Sequence, residues 1–147
     1  MATATASARD LEKLGANHFV LEVEPSIAVG AFSACTGLAM EREVLEYREG
    51  GRNDVVHRLP GRMKYPNLVL KRGITDQREL MRWFWDSRST PKRVTVTVKL
   101  VDAAGKDMQI WAFAEAYPVK WTGPNLDAGT DAAATEELEI AHGGLVL

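Results

Sequence analysis

The chain has 147 residues, 46% hydrophobic and 26% charged, with a formal net charge of −2 and a pI near 5.9. Those values describe one globular domain, able to bury roughly 70% of its unfolded surface without a staple. They argue against a nucleic-acid binder, which carries a basic face; the single cysteine excludes an internal disulfide and a Cys-based zinc site, and no apolar run approaches the ~20 residues of a membrane helix.

Residues 1–17 read as a flexible N-terminal arm and residues 18–147 as a single β-barrel domain. Residues 1–8 are rich in Ala, Thr and Ser and lack the basic start and apolar centre of a signal peptide, so cytoplasmic synthesis and assembly are expected. From residue 19 to 24 the chain alternates, with Phe19, Leu21 and Val23 opposed by Val20, Glu22 and Glu24, which predicts a half-buried strand. Pro25 and Ser26 make a turn, and residues 27–32 return to form a hairpin. Cys35 lies among small residues and is expected as a packed, inert thiol; Gly37 then breaks the chain.

Residues 41–47 alternate again. The stretch from Tyr47 to Gly73 is polar and heavily punctuated. Gly50-Gly51 ends the strand, residues 55–59 return, Leu59-Pro60-Gly61 predicts a turn, and residues 67–72 form another strand. Together they read as a long, charged β-arm that leaves the body and rejoins it at Asn67. A monomer gains little from such an arm; an assembly can use it to reach the next subunit.

The spacing predicts a helix over 76–88, with Asp76 as N-cap and Glu79 completing a capping-box-like pair. Leu80, Met81, Phe84 and Trp85 share one arc, expected to pack on a sheet, while Arg78, Arg82 and Asp86 face away. Pro91 bars continuation. Residues 93–101 are the clearest strand: Val94, Val96, Val98 and Leu100 line one face, Thr95, Thr97 and Lys99 the other. A turn over 102–106 leads to a strand over 107–117, with Trp111, Phe113 and Tyr117 opposed by Ile110, Ala112, Ala114 and Ala116. Residues 118–126 read as a loop carrying Trp121, and residues 136–142 as a last strand with Leu138 and Ile140 inward. One helix among hairpins predicts a mainly β fold, an antiparallel β-barrel or sandwich with one packed α-helix and a long β-arm.

Chemistry is sparse. His18, His57 and His142 are far apart and belong to no HxH or HExxH pattern, so a metal site would need the fold to gather them. The Ala104-Gly105-Lys106 triplet is followed by Asp107, not Ser or Thr, and reads as a turn rather than a P-loop. Glu137 and Glu139 share a strand face, but paired acids do acid–base work only in a cleft that shifts their pKa values. Trp83, Trp85 and Trp111 fall on a helix and a strand and read as core or subunit-interface packing. No catalytic residue, cofactor or metal ligand is expected, and the expected role is structural. A small-ligand-binding β-barrel using the Trp, His and Glu residues is the alternative of a different class. Polar strand faces such as Thr95, Thr97 and Lys99 need water or a partner, and a ring of subunits around a wet channel supplies both.

The chain resembles the tail tube protein family of contractile-tailed phages and of the related contractile injection systems. The matching stretches are FSACTGL over 32–38, EYREG over 46–50, LPGRMKY over 59–65, LKRGIT over 70–75, Trp83-Phe84, AYPVKWTGP over 116–124 and LEIAHGGLVL over 138–147. Each is weak alone; in order they span nearly the whole chain after His18. The resemblance implies hexameric rings stacked into a hollow inner tube whose strands join into one continuous inner barrel, which would leave no sheet edge unpaired. It implies a contractile sheath that drives the tube through a target envelope to deliver cargo. The implied partners are further copies of the chain, the sheath protein, baseplate or tube-initiator and terminator proteins, and cargo in the lumen. A tube-initiator paralogue next to the baseplate is the structural alternative. Within that frame Glu46, Tyr47, Arg48, Glu49, Gly50, Gly51, Arg52, Asn53 and Asp54 are expected to contact the adjacent ring through ion pairs. Arg78, Arg82 and Asp86 are expected to meet the sheath. Thr95, Thr97 and Lys99, together with Glu137 and Glu139, are the lumen candidates, though either face could lie at a subunit joint.

Overall fold

The computed structural model describes residues 18–24, 27–51, 54–75, 78–129 and 133–147. The expected N-terminal arm, the Pro25-Ser26 turn, Arg52, Asn53 and Asp76 lie outside them.

The strands are β1 (His18–Val23), β2 (Ile27–Phe32), β3 (Ala34–Thr36), β4 (Glu41–Arg48), β5 (Val56–Lys64) and β6 (Leu68–Gly73), then β7 (Val94–Val101), β8 (Asp107–Thr122), β9 (Thr135–Ala141) and β10 (Gly144–Val146); helix α1 (Glu79–Asp86) lies between β6 and β7. An antiparallel path runs β2-β1-β7-β8-β9-β6-β3, with β10 also paired to β8. Alternation decides which face is buried. Leu21, Val23, Leu68, Leu70, Val96, Val98, Leu138 and Ile140 turn to one core, joined by Phe32, Phe113, Ala116, Leu80 and Trp83. The two ends of the path are adjacent in sequence, since only Ser33 separates β2 from β3. Its N–H and Oγ both donate to the Lys71 carbonyl, at 2.9 and 3.0 Å. The path therefore curls back on itself at that corner, but among the described residues no ladder joins β2 to β3, so the expected barrel is not a closed sheet here.

Strand β8 departs most from simple alternation. Opposite Val94 and Val96 it carries an extra residue, and Glu115 takes the left-handed conformation with φ 56°. The bulge turns both Phe113 and Ala116 to the core, which corrects the expectation that Ala116 points away with Ala112 and Ala114. A second bulge opposite Ile140 and Glu139 carries the strand on to Thr122. Trp121 consequently lies in a strand and packs on the core, not in a loop. Gly37 follows β3 with φ +89°, and a Cβ there would come 2.0 Å from the Asn67 carbonyl oxygen, so only glycine lets these segments cross.

Helix α1 is shorter than its sequence pattern. Arg78 occupies the N-cap position without a side-chain cap hydrogen bond. Its buried residues are Leu80 and Trp83, with Phe84 half-buried against the core; Met81 and Trp85 are exposed. The correction has a geometric cause. The helix meets β8 and β2 along an i, i+3, i+4 row, a narrower stripe than the arc expected.

Among the described residues β4 and β5 pair only with each other, as a separate two-stranded sheet. Leu59-Pro60-Gly61 is not a turn. It runs through β5 at a bulge opposite Arg42 and Val44, where a missing proline N–H is tolerated. A Cβ on Gly61 would approach the Glu43 carbonyl oxygen to 2.8 Å, which explains glycine at the bulge. The arm is therefore one continuous hairpin from Glu41 to Lys64.

Candidate assembly surfaces

The arm presents two unlike faces. Cross-strand partners share a face, so Leu45 with Leu59 and Tyr47 with His57 form one, and Val44 with Pro60, Glu46 with Arg58 and Arg48 with Val56 form the other, where charges alternate with the exposed Val44 and Val56. Leu45, Leu59 and Tyr47 are 51%, 50% and 57% exposed. Three large apolar groups thus stand half in water on this face of a hairpin, a fold that is marginal by itself. Two of the expected charges have partners inside the arm. Glu46 lies 3.6 Å from Arg58 and Glu49 lies 3.8 Å from His57. Exposed pairs of this kind contribute ~0–1 kcal/mol. Arg48, Gly50, Gly51 and Asp54 are exposed near the tip, with Gly51 at φ 107°. The sequence pattern showed the charges and missed the apolar face. The alternation of Leu45 and Tyr47 was the available signal.

On α1 the residues Arg78, Arg82 and Asp86 are exposed, as expected. Beside them Trp85 is stacked by Arg88, whose guanidinium lies 3.5 Å from the ring centroid and whose Nε donates to the Trp85 carbonyl at 2.8 Å.

The lumen candidates lie on the non-core face of the strand path. Thr95, Thr97 and Lys99 are half-buried on β7, alternating with core Val96 and Val98. Lys99 Nζ donates to Glu22 Oε1 at 2.8 Å and lies 3.7 Å from Asp107 Oδ2. The Glu22 hydrogen bond, with added attraction from both carboxylates, outweighs partial burial and raises the Lys99 pKa. Glu137 and Glu139 are half-buried on β9, facing Lys71 on β6 and Lys120 on β8 in register. Asn67 Nδ2 donates to Glu139 Oε1 at 2.8 Å. This is a cross-strand lattice of opposite charges, not an acid pair in a cleft.

One cluster had no place in the sequence reading. Arg72 and Glu136 are 3% and 6% exposed and form an ion pair across β6 and β9. Trp121 Nε1 donates to the second Glu136 oxygen at 3.1 Å, and the Arg72 guanidinium stands 5.6 Å from the Phe32 ring centroid. The signal was present: Leu68, Leu70 and Arg72 share a face, as do Glu136, Leu138 and Ile140. His142 stands against Phe113 and Tyr65, with Nε2 3.0 Å from the Pro66 carbonyl oxygen. Burial, partly offset by that hydrogen bond, lowers its pKa. Burial pushes the half-buried Cys35 thiol up to about 11, so it stays protonated at neutral pH.

Among the described residues no group of three or more His, Cys, Asp or Glu is placed to hold a metal ion. An apolar groove of about 130 Å³, lined by Leu38, Ala39, Met40, Trp111, Phe113 and Leu145, is below the ~300 Å³ at which small-molecule pockets begin.

The fold is shared with solved structures. A chain in the cryo-EM structure of the anti-feeding prophage baseplate matches with TM-score 0.74 and 23% identity over 99% of this chain and 96% of that one. A chain in the extended sheath–tube complex of the PVC extracellular contractile injection system matches with TM-score 0.75 and 24% identity, over 87% of this chain and 86% of that one. Hcp1 from Flavobacterium johnsoniae has TM-score 0.51 and 18% identity, over 88% and 98%. No curated protein matches the sequence. The T4-like virus tail tube protein gp19 family matches residues 15–146, so the chain belongs to that family and is a tube protein.

Proposed function

We propose that the chain is the structural subunit of the inner tube of a phage tail or contractile injection system and works without catalysis or cofactor. Hexameric rings stack into a hollow conduit, a contracting sheath drives it through a target envelope, and cargo travels in the lumen. Baseplate and terminator proteins close its ends. The observation that carries this reading is the arm. Among the described residues β4 and β5 pair with nothing else, and they expose Leu45, Leu59 and Tyr47. Burying those groups against the adjacent ring is the simplest return for ordering such a hairpin. In this assignment the apolar face anchors the contact, and Arg48, Asp54 and the residues at the tip set its register. Arg78, Arg82 and Asp86 face the sheath. The Thr95, Thr97, Lys99 face and the Glu137, Glu139 face line the lumen, where charged and hydroxyl groups keep the wall wet around the exposed Ile110 that pairs with Lys99.

Electron microscopy of the purified protein tests the reading. Six-fold rings or hollow tubes are expected; a species that stays monomeric at every concentration overturns it. A second reading, a tube-initiator next to the baseplate, is favoured by the fuller mutual coverage with the baseplate chain than with the sheath–tube chain. Labelling the subunit within whole particles separates the two. Label along the whole tube supports the main subunit, and label at one end supports the initiator.

A further inference from the structure

We infer that Trp85, Arg88 and Met81, flanked by Arg78 and Arg82, form a docking surface for an acidic segment of the sheath subunit that also carries an apolar side chain. The partner's identity as sheath rests on the tube reading above; the chemistry of the surface rests on the following geometry.

The chain has four tryptophans. Trp83, Trp111 and Trp121 pack on the core, whereas Trp85 is 60% exposed. Leaving a tryptophan in water forfeits the largest single burial any residue offers. Its ring is nevertheless not loose. Arg88 lies flat on it at 3.5 Å from the centroid and is tied by Nε to the Trp85 carbonyl. Ring and guanidinium are thus oriented before a partner arrives, so little side-chain entropy remains to be lost on contact. Met81, one helical turn earlier, is 38% exposed and extends the apolar strip on the same side. Trp, Arg and Met are the residue types enriched where interfaces concentrate their energy.

Charge selects the partner. Residues 78–93 hold five basic side chains, Arg78, Arg82, Arg88, Lys92 and Arg93, against Glu79 and Asp86; with Arg93 paired to Glu115 at 3.5 Å, Arg78, Arg82 and Arg88 carry the basic character around Trp85, while the whole chain has a net charge of −2. A basic, aromatic-centred patch on an acidic protein is complementary to a segment that brings carboxylates to the arginines and an apolar group to the Trp85 and Met81 strip.

The test compares full-length wild type with Trp85→Ala, Trp85→Phe and the double reversal Arg82→Glu, Arg88→Glu. Each is assembled into tubes and co-sedimented with the purified sheath subunit of the same particle, at low and high salt. Trp85→Ala should form normal tubes yet bind sheath about tenfold more weakly or worse, as truncation of an interface anchor does. Trp85→Phe should retain most binding, the double reversal should lose it, and wild-type binding should fall with salt. Unchanged sheath binding by Trp85→Ala tubes overturns the inference. So does a folded Trp85→Ala subunit that no longer forms tubes, because the surface then belongs to a contact between copies of this chain. Wild type that forms no tubes overturns the tube reading itself, and the sheath assignment with it.

Discussion

The body and the arm are both antiparallel β, and they treat apolar side chains in opposite ways. In the body each strand turns one face to a shared core, where Leu21, Leu68, Leu70, Leu138 and Ile140 are fully buried. In the arm, β4 and β5 also alternate, but Leu45 and Leu59 remain about half exposed because none of the described residues covers them. A strand's pattern announces that one face wants burial; it does not say whether the cover lies in the same subunit. Among the described residues the body satisfies its pattern within the subunit and the arm does not, and in the proposed function the arm's cover therefore lies in an assembly.

The comparison breaks hardest at the buried charge. Removing one partner of a buried ion pair strands the other, at ~3–5 kcal/mol. Arg72→Ala should therefore cost that much in urea or thermal unfolding of the subunit, since Glu136 would keep only its Trp121 hydrogen bond among those described here. A loss below about 1 kcal/mol would mean that the cluster relaxes or takes in water. The same truncation in two regions sharpens the contrast. Leu138→Ala should cost ~2–5 kcal/mol, whereas Leu45→Ala should stay within ~0.5 kcal/mol in the isolated subunit and instead impair ring stacking. Equal costs in unfolding would show that the arm packs on its own body.

Much of this was legible in the sequence. The period of two in residues 93–101 and 136–142 gave β7 and β9 and most of their core faces; it slips at the end of β7, where the register shifts and Val101, not Leu100, is buried. What failed depended on partners distant in sequence. The Glu115 bulge inverts β8, and nothing local marks a left-handed glutamate. The Pro60-Gly61 pair looked like a turn, yet it is a bulge whose requirement comes from Glu43 across the ladder. The strands β3 and β10 span three residues each and are too short to show a period; they exist because β6 and β8 offer them edges. On α1, the arc was misread by one row because tertiary packing chooses the buried stripe. For the arm the pattern put the charges ahead of the exposed Leu45, Tyr47 and Leu59, and on α1 it assigned Trp85 inward, whereas Trp85 is 60% exposed.

Smaller effects probe the joint between the two regions. Tyr65 and Pro66 connect β5 to β6, and His142 holds them through the Pro66 carbonyl. Its pKa is lowered in the fold, so the unfolded chain binds the proton more readily. Its stabilising contribution is thus complete above the ordinary histidine value near 6.5 and is lost as pH falls below it toward the folded value. His142→Phe should flatten that part of the stability profile between neutral and mildly acidic pH; an unaltered profile would assign the acid sensitivity elsewhere. The least effect concerns Cys35. A thiol held up to about 11 should react slowly with alkylating reagents at neutral pH until the subunit unfolds. Rapid labelling of the native protein would place Cys35 in a more open setting than β3 provides.

The most direct test excises residues 46–58, joins Leu45 to Leu59 through an Asn-Gly turn, and counts tubes by electron microscopy beside wild type. The body should still fold, with unfolding little changed, because the arm shares no ladder with it. Such subunits should stop at soluble subunits or single rings while wild type forms tubes. Long tubes of normal appearance from the shortened chain would contradict the arm's role as the bridge between rings.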